Sequence, residues 1–250
     1  MLFVHGFGCD MDVWEKQFEG FCEDDIRLLF IDLPGFGNSD KLHTDYTLDY
    51  FAQAVESVLE AEKINRVILI GHSLGTPICL RMVQRGNVSI VGLCDVDGVY
   101  CLYPQDSAML ALYEEAVQGF AESFCGCDVK QNITDFVYSL AGPDTPQEIV
   151  DYSLSTMPNT PDFVACSSMS HLIDHKYWDD WEKRQVCIPA LVVCTKNSGI
   201  APDNQEQMKR FYSNMTYWEL DACGHFIMWE QSDEFNRRLH GLVGKIDSAD

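Results

Sequence analysis

Residues 71–75 read Gly71-His72-Ser73-Leu74-Gly75, a G-x-S-x-G pattern lying between an apolar, β-branched run (66–71) and an amphipathic helical pattern (75–85). A serine at a sharp strand-to-helix turn must take a strained backbone conformation, and this lifts its hydroxyl clear of the chain. Glycines two residues to either side let neighbouring backbones pass closely, and the following helix points its positive end at the hydroxyl. The chemistry such a serine performs is attack on a carbonyl, which needs a base and two fixed donors for the oxyanion. Leu74, the residue after the serine, supplies one donor through its backbone N–H. The second is predicted from the turn that ends the first strand, His5-Gly6-Phe7-Gly8, through the N–H of Phe7.

The base of such a site follows the last strand. His225, in Asp221-Ala-Cys-Gly224-His225-Phe, occupies that place, and Gly224 frees its backbone. The other histidines fit less well. His5 and His72 fall inside glycine turns, His43 lies in a polar loop and His240 in the last helical pattern. His171 and His175, four apart on a helical pattern, are a possible metal pair but more often form a polar face, and we predict no metal site.

The elements that must position these residues alternate. Strand patterns at 2–5, 26–31, 66–71, 90–94, 188–194 and 215–220 are separated by helical patterns at 11–21, 47–62, 75–85, 203–212 and 229–243. Strands apolar on both faces, interleaved with helices, predict a parallel sheet covered on both sides, with its chemistry at the carboxyl ends of the strands. From 101 to 184 no good strand appears, and helical patterns at 109–124, 133–140, 146–155 and 161–173 predict an all-helical insertion. The expected organisation is therefore a core of 1–100 and 185–250 with an inserted helical cap at 101–184.

These motifs resemble the α/β-hydrolase superfamily. The likeness covers nearly the whole chain through His5-Gly6-Phe7-Gly8, Asp32-Leu-Pro-Gly35-Phe-Gly37-Asn-Ser39, Gly71-His-Ser73-Leu-Gly75 and Gly224-His225. The resemblance implies a serine esterase or related hydrolase with a helical cap. The stretch from Gly6 to Trp14 is also similar to the branch holding the bacterial stress-response hydrolase and the plant strigolactone and karrikin receptors. Two features depart from the family pattern. Relatives usually open with a β-hairpin ahead of the His-Gly strand; here the sheet is expected to be short by two strands, or the true start lies upstream. The third triad member is also displaced. Where many relatives carry an aspartate after the strand that follows the cap, this chain has Asn197. An amide can orient imidazole but cannot stabilise imidazolium by charge, and in a serine protease such a replacement costs roughly 10⁴-fold.

Some family members carry the acid after the strand preceding the cap. That segment is Leu93-Cys-Asp95-Val-Asp97-Gly98, and Asp97 is the predicted acid, with Asp95 nearer the strand interior. Asp-Gly is also a turn signal. Asp203 is the alternative, although it doubles as a helix N-cap candidate, and a dyad leaning on Asn197 is the remaining option.

Composition narrows the function. A net charge of −22, from 39 acidic against 17 basic residues, argues against nucleic acid and against anionic membranes or strongly anionic substrates. No apolar run approaches the roughly 18 residues of a membrane span, and no basic segment precedes an apolar stretch at the N-terminus, so a cytoplasmic protein is expected. The eleven cysteines are scattered. Cys79, Cys94, Cys187 and Cys194 sit in apolar runs where a thiol acts as a small hydrophobe, and Cys125-Gly-Cys127 fits neither a redox nor a zinc pattern. No cofactor motif is present, since the glycines after Asp32 are wrongly spaced for a dinucleotide.

The insertion carries Leu102, Tyr103, Met109, Leu110, Leu112, Tyr113, Phe120, Phe124, Phe136, Tyr138, Met157, Phe163, Met169, Tyr177, Trp178 and Trp181. Most pack the insertion itself; some are predicted to line a pocket above Ser73. The expected activity is hydrolysis of a small to medium carboxylic ester or lactone with an apolar part, through an acyl-enzyme. Carbon–carbon bond hydrolysis on the same triad, and a slow-turnover ligand receptor, are the alternatives.

Overall fold

The computed structural model describes residues 1–104, 106–178, 185–196 and 205–248. Six strands form one parallel sheet in the order β2-β1-β3-β4-β5-β6. They are β1 (Leu2–Val4), β2 (Leu29–Ile31), β3 (Arg66–His72), β4 (Ser89–Val96), β5 (Ala190–Thr195) and β6 (Met215–Leu220). The central strands are buried along most of their length, as continuous apolar runs require when helices cover both faces. The second strand begins at Leu29, not at residue 26, because only Leu29–Ile31 pairs with β1.

Helices α1 (Glu15–Phe21), α2 (Leu48–Ala61) and α3 (Gly75–Arg85) connect the first four strands. Helix α2 shows why these segments coil. Thr47 caps it by accepting the Tyr50 N–H at 3.0 Å, and Leu48, Phe51, Ala52, Val55 and Leu59 form one buried stripe at helical spacing. Between β4 and β5 the described chain is helical: α4 (Ser107–Glu122), α5 (Val129–Leu140), α6 (Gln147–Thr156), α7 (Asp162–Leu172) and α8 (His175–Trp178). Helices α9 (Gln205–Met208), α10 (Ile227–Glu230) and α11 (Ser232–Asp247) complete the chain. The last helical pattern is thus two helices, broken at Gln231, whose φ of −129° and ψ of 40° are not helical.

The thiols are sorted by position. Cys79, Cys94 and Cys194 are buried, whereas Cys187, ahead of β5, is exposed, contrary to its apolar sequence surroundings. Cys125 is bonded to Cys166, 41 residues on, within the helical segment between β4 and β5, a disulfide that the spacing of Cys125 and Cys127 does not announce. Among the described residues no helix is long and apolar enough to cross a membrane.

Candidate active site

The strand register sets the geometry. On β3 and β4, His72 is paired with Val96, so Ser73 and Asp97 are each the first residue beyond adjacent strand ends. The Ser73 N–H donates to Val96 O at 3.0 Å, and the Asp97 N–H donates to Val193 O on β5 at 2.7 Å. Both residues leave the sheet in the left-handed region, Ser73 at φ 53° and Asp97 at φ 46°. A non-glycine residue rarely adopts that conformation and does so at some energetic cost. Here it turns both side chains off the strand direction at one rim of the sheet.

The glycines beside Ser73 are there for space. A Cβ on Gly75 would stand 2.2 Å from Val4 O, and one on Gly71 would stand 2.6 Å from Gly75 O. Helix α3 therefore runs directly against β1, with its first turn under the serine. The opening turn is fixed separately. Buried His5 accepts the Leu33 N–H on Nε2 at 2.9 Å and donates from Nδ1 to Gly6 O at 2.7 Å. Burial pushes its pKa down, so the ring stays neutral and structural. Asp32 adds a second tether, accepting from Met11 N at 2.8 Å and Asn38 N at 2.7 Å. Its segment is a scaffold for the turn.

Asp97 and His225, 128 residues apart in sequence, meet at 2.6 Å between Oδ2 and Nδ1. The other carboxylate oxygen accepts the Thr195 N–H at 3.1 Å. The aspartate is wholly inaccessible to solvent and the histidine nearly so. A buried carboxylate is tolerable only when it is paired and hydrogen-bonded, and here the two partners are an imidazole and a backbone amide. Asn197 and Asp203, the other acid positions considered in the sequence, lie outside the described residues.

The backbone of His225 is bracketed. Its N–H donates to Leu140 O, the last residue of α5, at 2.9 Å. Its carbonyl accepts the Nε2–H of His72 at 3.1 Å. His72 is fully buried and its pKa is pushed well down, first by burial and then by the neighbouring His225. The residue before Ser73 thus reaches across to the histidine loop, a contact its place in a glycine turn does not reveal. Glu230 secures the same loop by accepting the Gly224 N–H at 2.8 Å.

Ser73, Phe7 and Leu74 border one cavity of about 380 Å³. Its other walls include Val99 and Tyr100 after β4, Tyr113, Val117 and Phe120 on α4, Phe136 on α5, and Met169 and Leu172 on α7. None of the described lining residues is charged. Of the large apolar residues between β4 and β5, Tyr113, Phe120, Phe136 and Met169 reach this cavity, Phe124 is buried, and Met109, Leu112 and Tyr138 face solvent. Trp181 lies outside the described residues. The N–H groups of Phe7 and Leu74 donate to no backbone carbonyl among the described residues. His171 is used locally, its Nδ1 2.8 Å from Ser167 O. Among the described residues no cluster of His, Cys, Asp or Glu could hold a metal ion.

Comparison with known proteins places this geometry in context. A family model described as the alpha/beta hydrolase fold matches residues 1–232. A 2-hydroxy-6-oxononadienedioate/2-hydroxy-6-oxononatrienedioate hydrolase of Paraburkholderia phymatum is 23% identical over 257 residues, covering 98% of this chain and 87% of that protein. A putative esterase/lipase of Haemophilus influenzae is 26% identical over 260 residues, covering 98% and 83%. Among solved structures, an esterase from Exiguobacterium antarcticum superposes with a TM-score of 0.82 at 18% identity, covering 98% of this chain and 91% of the other.

Proposed function

The chain belongs to the α/β-hydrolase family, and from that premise we propose that it is a serine hydrolase cleaving a small to medium carboxylic ester or lactone with an apolar part. The observation that carries the reading is the 2.6 Å contact between Asp97 Oδ2 and His225 Nδ1, at the strand rim where Ser73 leaves β3 in a left-handed turn. In this reading Ser73 Oγ attacks the carbonyl carbon and His225 Nε2 takes its proton. Asp97 keeps Nδ1 protonated and stabilises the imidazolium by charge. The Phe7 and Leu74 N–H groups hold the oxyanion, each worth about 3 kcal/mol of barrier. His225 returns the proton to the leaving alcohol, and water repeats the sequence on the acyl-enzyme.

The cavity supports an apolar, uncharged acyl group. The dioate in the name of the Paraburkholderia relative is a dicarboxylate, and the described walls of this cavity offer no charged partner to either carboxylate. Ester hydrolysis is therefore favoured over carbon–carbon hydrolysis of such a diacid. A carboxylate at His225 also removes the main ground for a slow-turnover receptor. The insertion, residues 101–184, acts in this reading as a cap supplying most of the acyl pocket, on a core of 1–100 and 185–250.

The test is incubation with p-nitrophenyl acetate and butyrate, and then with a fluorophosphonate probe. Turnover together with labelling of Ser73 supports the esterase. Labelling without turnover would point to the receptor instead, and an unlabelled Ser73 would sink both.

A further inference from the structure

Asp95 stands two residues before Asp97, inside β4, completely buried, and has no part in the chemistry above. Its Oδ1 accepts the Gly98 N–H at 3.0 Å and lies 3.1 Å from Thr76 Oγ1. Its Oδ2 lies 2.5 Å from the Tyr100 hydroxyl and 3.0 Å from the Tyr212 hydroxyl, and the two phenol oxygens are 2.9 Å apart. These partners belong to different parts of the site. Gly98 is in the turn that carries Asp97. Thr76 is in the first turn of α3 behind Ser73, and it also donates to Gly71 O at 2.8 Å. Tyr100 is a wall of the cavity. Tyr212 precedes β6.

Counting protons shows what this cluster demands. The hydroxyls of Thr76, Tyr100 and Tyr212 own three protons but make five close oxygen–oxygen contacts: Thr76 with Gly71 O, each of the three with Asp95, and Tyr100 with Tyr212. With a carboxylate at position 95, two contacts lack a proton; a neutral carboxyl supplies one more. Burial pushes Asp95 up to about 6 and outweighs the lowering effect of the hydrogen bonds from Tyr100, Tyr212, Thr76 and Gly98. The titratable groups facing it are Cys79 on α3, Cys94 on β4, Cys194 on β5, Tyr100 and Tyr212, all driven toward their neutral forms mainly by burial. Asp97, nearby at the end of the same strand, is engaged by His225. None of these offers a positive charge directly to Asp95.

We propose that Asp95 is a positioning and specificity residue that ties the Asp97 turn, the Ser73 helix and the Tyr100 wall together, its proton setting where Tyr100 stands and so which acyl groups the cavity accepts. When Asp95 is charged, both phenols donate to Oδ2, and the Tyr100–Tyr212 contact is left without a proton. Two lone-pair oxygens at that distance repel. Tyr212 is packed in the core, so Tyr100 yields on the cavity side and takes room from the longer acyl chains. The inference rests on the ester-hydrolase reading of the same site.

The experiment is the ratio of kcat/KM for p-nitrophenyl octanoate to that for the butyrate between pH 5 and 8. Any pH dependence common to the two esters cancels in the ratio. The ratio is expected to fall three- to tenfold as pH rises through about 6. Asp95→Asn, whose amide donates where the neutral carboxyl would, should hold the ratio constant near its low-pH value. Tyr100→Phe, without the oxygen that is pushed, should also flatten it. A flat ratio in the unaltered protein, or the same pH-dependent ratio in Asp95→Asn, overturns the proposal. If Asp95→Asn does not fold, the unaltered protein and Tyr100→Phe decide. If neither ester is turned over, the ester reading fails on its own, and calorimetric binding of 2-octanone against 2-butanone still reads the cavity. Its affinity ratio should fall over the same pH range, and a constant ratio would dismiss the role of Asp95.

Discussion

The amide of His225 donates its hydrogen to the carbonyl of Leu140, the last residue of α5, at 2.9 Å. A residue that follows β6 is thereby joined to the end of a helix that lies between β4 and β5. The junction is close-packed, since a Cβ on Gly224 would lie 2.6 Å from the amide nitrogen of Gly142 and 2.5 Å from Thr145 Oγ1. The backbone that carries the imidazole is thus held against the end of α5.

Gly224→Ala should therefore wedge the segment after α5 away from the histidine loop. Displacing a catalytic group by about 1 Å can cost on the order of 10²-fold in rate. We expect a fall of that size in kcat on p-nitrophenyl butyrate, with parallel slowing of fluorophosphonate labelling. Unchanged kcat would mean that the junction does not govern the imidazole.

Asp97→Asn should keep the hydrogen bond from the Thr195 N–H and lose the charge facing His225 Nδ1. By analogy with serine proteases the loss is roughly 10⁴-fold in kcat. Asn197→Ala should change kcat less than about threefold, the scatter of a substitution that removes no group from the mechanism. Steady-state kinetics on one ester would compare the two, and the reverse ranking would remove Asp97 from the mechanism.

A charged acyl group should be rejected. Burying an unpaired carboxylate among the apolar walls costs several kcal/mol. The p-nitrophenyl half-ester of succinate should accordingly have a kcat/KM at least 10²-fold below that of the butyrate, which is similar in length. Comparable values would show that a cation outside the described lining meets the carboxylate.

Asp95 also links stability to pH. Its carboxyl is raised by burial from 3.8 to about 6 in the folded protein. The neutral form is thus favoured in the fold, and its stabilising contribution is complete below pH 4 and is lost as pH rises through 6. The loss amounts to about 3 kcal/mol. Urea unfolding at pH 4 and at pH 7.5 should show the stability of Asp95→Asn, relative to the unaltered protein, improving by that order at the higher pH. An equal difference at both values would mean that Asp95 does not titrate on folding.

Gly75→Ala probes the fold itself. The added carbon would sit 2.2 Å from Val4 O, where backbone meets backbone and no side chain can give way. Destabilisation of about 3 kcal/mol or more is expected, seen as a lower thermal midpoint or failure to accumulate folded protein. A midpoint within a degree or two of the original would show that α3 can lift off β1.

Much of the fold was legible in local pattern. The doubly apolar strands, the stripe of α2 and the glycines around Ser73 announce a covered parallel sheet with a serine at a strand–helix junction. Each depends on near neighbours in sequence: side-chain periodicity, backbone freedom and capping act over a few residues. The helical pattern of 203–212 is longer than the helix that forms among its described residues, Gln205–Met208. The break at Gln231 leaves no mark in the sequence, since apolar spacing continues across it.

What the chain order could not decide was which distant groups touch. From sequence, Asp97 and Asn197 both stand just past a strand pattern, and Asp203 stands at the start of a helical one. Only the pairing of β4 between β3 and β5 puts a carboxylate oxygen of Asp97 at 2.6 Å from His225. The link of His72 to His225, the grip of Leu140 on the same loop and the cluster around Asp95 are likewise contacts across the sheet or between the sheet and the helices that follow β4. Local propensities determine which elements form; these contacts are set by strand register and by how the insertion packs, and both are fixed only when the whole chain has closed on itself.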